Sequence, residues 1–345
     1  MRIILSSLIG LAVLIGGYAL WWKSVADTAE QAYHNWKKAK TELGYVIENS
    51  PIEISDFPYR VRLSFADFSI KEPNPDRQAR IEGKDLWIVM EPWNVTHVIF
   101  GAKNTLKTNW QDKGISRSAT LNSDSLLGSA TLTLSGQLEK LALDGTNLRL
   151  EPDWRAPITV NRLQIHEREQ PTTYSDKDHK ETSVSGRQLV LRADQVKLID
   201  DKNHFLGETI EKLAISAVLE GSWQDFRNAG TITAWRENGG SIDIQELLFL
   251  KGDTEIVTNG TLALDEANRP IGAFSANIKG FNDLIEAFVD AGRLNRKNIQ
   301  TVEFAVNLLA RENEEGVRVL KIPLTFQTGG IYLGPIFLGK IDPLF

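Results

Sequence analysis

The chain opens on an unbroken apolar run. From Ile3 to Trp22 it reads IILSSLIGLAVLIGGYALWW, without one charged side chain. About 20 such residues are enough for a helix to cross the hydrocarbon core of a bilayer. Backbone polar groups in hydrocarbon must be bonded within the segment, so a helix is the expected form. Ile3, Leu11 and Leu14 lie in its body, and Tyr18, Trp21 and Trp22 stand at its far end. Aromatic rings there favour the headgroup layer. Residues 1–23 are therefore read as a single-pass anchor. The alternative is a signal peptide cleaved after Ala26, since Ser24-Val25-Ala26 has small residues at the right spacing. Against cleavage stand an apolar core longer than a signal h-region and the bulky Trp21 and Trp22 just before the site. Either reading exports the rest of the chain.

Behind the anchor the period becomes helical. Ala26, Ala29, Tyr33 and Trp36 share a face, Asp27 and Glu30 precede Lys37, Lys38 and Lys40, and Gly44 offers a stop. A helical stalk over 24–50 is expected.

Alternation then takes over. Val61, Leu63 and Phe65 oppose Arg60, Arg62 and Ser64, which marks a half-buried strand, with Pro58 at the corner before it. Ile81–Met90 reads as a second strand. Shorter ones follow through Leu132 and Leu134, Leu141 and Leu143, Leu148 and Leu150, with Asp144-Gly145 as a hairpin turn. Residues 51–166 thus form an N-terminal β region. Residues 167–185 are polar and aperiodic, so a mobile loop and an internal boundary are expected there. The C-terminal β region, 186–345, resumes with Leu189 and Leu191, then Leu213 to Leu219, a Thr231–Trp235 strand, a Gly239-Gly240 turn and strands to Leu264. Phe281, Leu284, Ile285, Phe288 and Val289 recur at helical spacing; Ile299, Val302, Val306 and Leu309 suggest another helix, the alternative being a strand through Val302, Phe304, Val306 and Leu308. The fold class is mainly β. A single N-terminal transmembrane helix leads into a large twisted or curled antiparallel β-sheet structure. Two C-terminal helices are expected, near 281–292 and 296–310.

Composition narrows the chemistry. The net charge of −6 and the lack of a basic tract point away from nucleic acid. The chain has no cysteine, which excludes thiol catalysis, cysteine-based zinc sites and iron–sulfur clusters. His34, His97, His166, His179 and His204 form no metal-ligand spacing, and the nearest thing to a cluster, Asp176-Lys-Asp178-His179, reads as solvated loop. No G-x-S-x-G elbow or glycine-rich phosphate loop occurs. Asp200-Asp201 reads as a turn. Trp87, Trp93, Trp110, Trp154, Trp223 and Trp235 read as packing before ligand surface, and Arg60 and Arg62 as cross-strand partners of acids before lipid-phosphate contacts. No catalytic, metal or cofactor site is expected.

Two groups of residues carry a family likeness. One is Phe57-Pro58-Tyr59-Arg60 with Glu91-Pro92-Trp93-Asn94 and His97-Val98-Ile99; the other is the tail, Gly329-Gly330-Ile331-Tyr332-Leu333-Gly334-Pro335 with Leu338-Gly339 and Pro343-Leu344. Together they resemble an alphaproteobacterial family known as a domain of unknown function, number 2125. Trp235 to Gly292 is similar to the carboxy-terminal part of AsmA-like envelope proteins, with a Gly-Gly turn, a strand, a Gly-x-Leu-x-Leu-Asp strand and a short apolar helix in that order. That second likeness implies a bacterial inner-membrane protein with its bulk in the periplasm. It also implies a sheet with a greasy face that binds or helps move lipid, without enzymatic chemistry. The chain is shorter than most AsmA-like proteins, too short to imply a bridge across the envelope. The alternative is a structural envelope protein with a fully packed sheet and a protein partner.

Overall fold

A computed structural model of the protein describes residues 2–103, 105–112, 114–175, 181–198, 209–221, 229–290, 299–314, 316–334 and 336–343. The chain divides into two compact units, Met1–Pro157 and Ile158–Phe345. The division falls in the short link after Trp154, not in the polar stretch 167–185. Among the described residues the architecture is mainly β, with 19 strands and antiparallel pairing throughout each unit.

Helix α1 runs unbroken from Arg2 to Glu42. Its segment from Ile3 is long and apolar enough to cross a membrane. The second half is no free stalk. Trp22, Val25, Ala26, Ala29 and Tyr33 recur at helical spacing and pack on Val61, Leu63 and Phe65. Ala26 is 2% exposed because its small side chain lets the helix backbone approach the sheet. The Tyr33 hydroxyl donates to Asn49 Oδ1 at 2.8 Å, and Lys37 Nζ donates to the same oxygen at 2.6 Å. Burial raises the Tyr33 pKa. The helix ends where Gly44 takes a φ of +87°, a left-handed conformation suited to glycine. Strand β1 (Val46–Asn49) follows, so the helix stops short of the expected residue 50.

The remaining strands of the first unit are β2 (Glu53–Ser55), β3 (Val61–Lys71), β4 (Arg80–Glu91), β5 (Asn94–Ala102), β6 (Thr105–Asp112), β7 (Ile115–Asn122), β8 (Ser125–Leu132) and β9 (Leu138–Pro152). β3 pairs along its length with β4: Val61 lies opposite Met90, Leu63 opposite Ile88 and Phe65 opposite Leu86. Beyond β4 the sheet forks. The end of β4 pairs with β5, while its start pairs with β6. β5 passes to β8 and β6 to β7. Both branches rejoin on β9, β8 on its first part and β7 on its last. The change of partner coincides with a left-handed residue in each long strand, Asp85 (φ 47°) in β4 and Asn147 (φ 48°) in β9. Asp and Asn tolerate that region better than most residues. Asp144-Gly145 therefore makes no hairpin turn: β9 runs straight through it, and Asn147 takes the kink.

The second unit is a meander. β10 (Ile158–Ser175), β11 (Glu181–Leu198), β12 (Thr209–Glu220), β13 (Ser241–Lys251), β14 (Thr254–Leu264) and β15 (Pro270–Lys279) pair in chain order. β15 then pairs with β17 (Arg318–Gln327), followed by β18 (Gly330–Leu333) and β19 (Ile336–Lys340). The two-residue β16 (Arg311–Glu312) also lies on β17. Helices α3 (Phe281–Asp290) and α4 (Ile299–Leu309) fall between β15 and β16. Phe281, Ile285, Val306 and Ala310 pack there against Ala276, Ile278, Leu320 and Ile322.

Two expectations are corrected here. Residues 167–175 and 181–185 belong to β10 and β11, not to a loop. Among the described residues β11 gains a second neighbour only from Arg187 onward. The Thr231–Trp235 segment is helical, within α2 (Ala229–Glu237). Trp235 is 4% exposed, and its Nε1 donates to the Glu220 carbonyl at 2.6 Å. A Cβ on Gly240 would come within 2.2 Å of that ring, so the Gly239-Gly240 stop is where the indole needs room.

Candidate apolar face

Register in the second unit aligns two rows across five strands. One is Ile165, Leu191, Ile215, Leu247 and Thr258; the next is Leu163, Ala193, Leu213, Phe249 and Ile256. Adjacent strands lie about 4.8 Å apart, so each row spans about 19 Å. Nine of these ten side chains are apolar, and Thr258 Oγ1 is buried without a hydrogen-bond partner. Leu163, Ile165, Leu191, Leu213, Ile215 and Leu247 are half-buried rather than buried, and the neighbouring Leu189 is 41% exposed. The other face of these strands carries polar pairs beside apolar side chains: Gln188 Nε2 and Ser216 Oγ both donate to Gln245 Oε1, and Lys279 pairs with Glu255 at 3.3 Å, while Ala214, Leu248 and Val257 align next to them and Val218 is buried.

The apolar face has defined ends. Toward the β10–β11 tip it meets an ion pair, Arg187 Nε to Glu167 Oε1, whose side chains are 13% and 16% exposed. Burial lowers the Arg187 pKa from its ordinary value. At the other end α3 and α4 cover β15 and β17, and Ile256 of β14 packs against the same cluster. Glu167→Ala leaves a guanidinium on this face without that carboxylate. The expected result is a loss of about 3 kcal/mol, read as a lower denaturation midpoint, with Glu167→Gln losing less.

The structure distributes the remaining sequence candidates widely. His34 lies 3.8 Å from Glu30 on α1; His97 and His166 sit in β5 and β10; His179, His204, Trp223 and Asp200-Asp201 lie outside the described residues. No group of histidines and acids fit to hold a metal occurs among the described residues. Arg62 pairs with Asp56 at 2.8 Å and stacks over Trp87 at 4.7 Å. Trp110 and Trp154 meet edge to face at 5.1 Å. Ile3, Leu11 and Leu14 are exposed on the first half of α1.

The family-like residues fall in two places. Phe57, Pro58, Tyr59 and Arg60 form the β2–β3 corner, docked on α1. There Tyr18 donates from its hydroxyl to the Pro58 carbonyl at 2.5 Å, and Trp22 Nε1 to the Arg60 carbonyl at 2.9 Å. The Phe57 ring meets Trp22 edge-on at 5.3 Å, and Trp21 packs beside Tyr18 at 5.4 Å. Pro92 is buried beside Trp93 in the β4–β5 hairpin of the same unit. Gly334 sits in the second unit, where its N–H reaches the Pro323 carbonyl at 2.7 Å; Pro335 lies outside the described residues. Leu134 departs from its reading as a strand residue. It sits in the β8–β9 turn at 97% exposure, and Thr133 followed by Ser135-Gly136 was the turn signal for it.

Residues 22–342 match the family model described as an uncharacterized protein conserved in bacteria (DUF2125), and the chain belongs to that family. No curated protein and no solved structure matches it.

Proposed function

We propose that this member of an uncharacterised bacterial family is a single-pass inner-membrane protein whose periplasmic β body holds or passes on the acyl chains of a lipid. The observation that carries the reading is the half-buried aliphatic face of β10–β13. A sheet with one wet face must cover its apolar face with helices or with a ligand. Here α3 and α4 cover the β15–β17 side, and the rows from Leu163 to Leu247 stay partly open. Their span is comparable with an extended acyl chain. The likeness of Trp235–Gly292 to AsmA-like proteins and of the two motif groups to an alphaproteobacterial family supports an envelope setting. An uncleaved anchor is supported by packing: cleavage after Ala26 would strip Trp22, Val25 and Ala26 from the core that seats β3.

Native mass spectrometry of the full chain, purified from membranes, tests the ligand. Lipid is expected to co-purify with the wild type and to fall at least tenfold in a Leu191→Glu, Ile215→Glu variant of unchanged circular dichroism. A lipid-free wild type that crosslinks in cells to one protein through this face would favour a partner-binding protein instead.

A further inference from the structure

The residues that this reading leaves over are the family-like corner at Phe57–Arg60, Trp93 and Leu134. They share an edge. α1 lies along β3 with Tyr33 beside Phe65, 5.0 Å between rings, and Trp22 at Arg60. Following the helix back toward its apolar segment therefore leads out past the start of β3, to Tyr18 at Pro58. The strands of this unit run across that edge in register. Val61 aligns with Met90, Val98, Ala130 and Leu141 through β4, β5, β8 and β9. Beyond this row, on the side where the apolar segment leaves, lie three turns and no further strand of these five. They are the β2–β3 corner with Tyr59 at its tip, the β4–β5 turn with Trp93, and the β8–β9 turn with Leu134. Tyr59 is 72% exposed, Trp93 59% and Leu134 97%. Charges lie at both edges: Asp56, Arg60 and Glu91 flank the tips on this side, and Glu72, Asp76 and Arg77 lie in the β3–β4 loop of the opposite side, where Leu43 and Ile115 are also exposed.

We infer that these three tips form a second membrane contact, which seats the first unit on the bilayer surface with Tyr59, Trp93 and Leu134 in the headgroup layer. The occupant is a lipid bilayer, because the edge is continuous with the one helix among the described residues that is long and apolar enough to span it. Tyr18 and Trp22 meet the corner within the last turns of that segment, the level at which aromatic rings favour the interface. Tyr and Trp suit this layer because an apolar body carries one polar atom. Leu134, fully exposed at an apex, gains by leaving water. The inference rests on the anchor in the proposed function and is independent of the ligand on the second unit.

The chain lacks cysteine, so single substitutions give unique labelling sites. Full-length Leu134→Cys, Tyr59→Cys, Leu11→Cys and Asp76→Cys proteins would carry an NBD fluorophore and be reconstituted in phosphatidylethanolamine–phosphatidylglycerol vesicles. Nitroxide-labelled lipid is expected to quench the 134 and 59 labels at least threefold more than the 76 label, with blue-shifted emission, and to quench the 11 label as well. A quenched 11 label with either tip at the level of the 76 label overturns the contact and leaves the anchor standing. An unquenched 11 label overturns both.

Discussion

Leu11→Lys with Leu14→Lys will move the protein out of the membrane fraction. Both side chains lie mid-way along the charge-free segment of α1. A lysine near the centre of an inserted helix costs about 3 kcal/mol on insertion scales, so two cost about 6 kcal/mol. That is about four powers of ten in the partition between membrane and water. Alkaline extraction followed by fractionation reads the result. Wild type is expected in the pellet at full length, and the double variant in the soluble fraction. Recovery of wild type as a soluble periplasmic chain beginning at Asp27 would identify a signal peptide and remove the anchor.

Phe65→Ala will lower the stability of the first unit by about 4 kcal/mol, the range found for a large aromatic side chain lost from a packed core. Phe65 is 1% exposed and touches the docked half of α1 through Tyr33. Its loss undermines two elements at once, the central strand and the helix seated on it. Thermal melts in detergent should show the drop, and limited proteolysis should cut faster between residues 24 and 42. Tyr59→Ala, at an exposed corner, should change stability by under about 0.5 kcal/mol in the same melts. Equal losses from the two variants would mean that α1 does not hold its seat on β3.

What the sequence disclosed follows from where one face is dry. β3 and β12 alternate visibly because one side of each meets a core or an apolar row. Phe281, Ile285 and Val289 keep helical spacing because α3 lies on the sheet. Residues 167–175 and 181–185 are polar at almost every position, so no alternation marks them as strand. Thr231 to Trp235 looked like a strand through its β-branched residues. Tertiary context overrides that weak preference, with Trp235 buried between the glycines at 221 and 240. Asp144-Gly145 carries turn chemistry, yet the left-handed residue is Asn147. The aliphatic rows of β10–β14 were present in the sequence strand by strand. Their alignment was not, because register between strands is set by turns and bulges such as the one after Ser216.

The unbroken path of α1 from Arg2 to Glu42 has a mechanical consequence. With no hinge between the half proposed to span the bilayer and the half clamped to β3, the first unit cannot swivel freely on that proposed anchor. A helix longer than the hydrocarbon slab accommodates the mismatch by tilting. Any such tilt turns the first unit as a rigid lever. Bilayer thickness would thereby set the angle at which this unit meets the lipid surface.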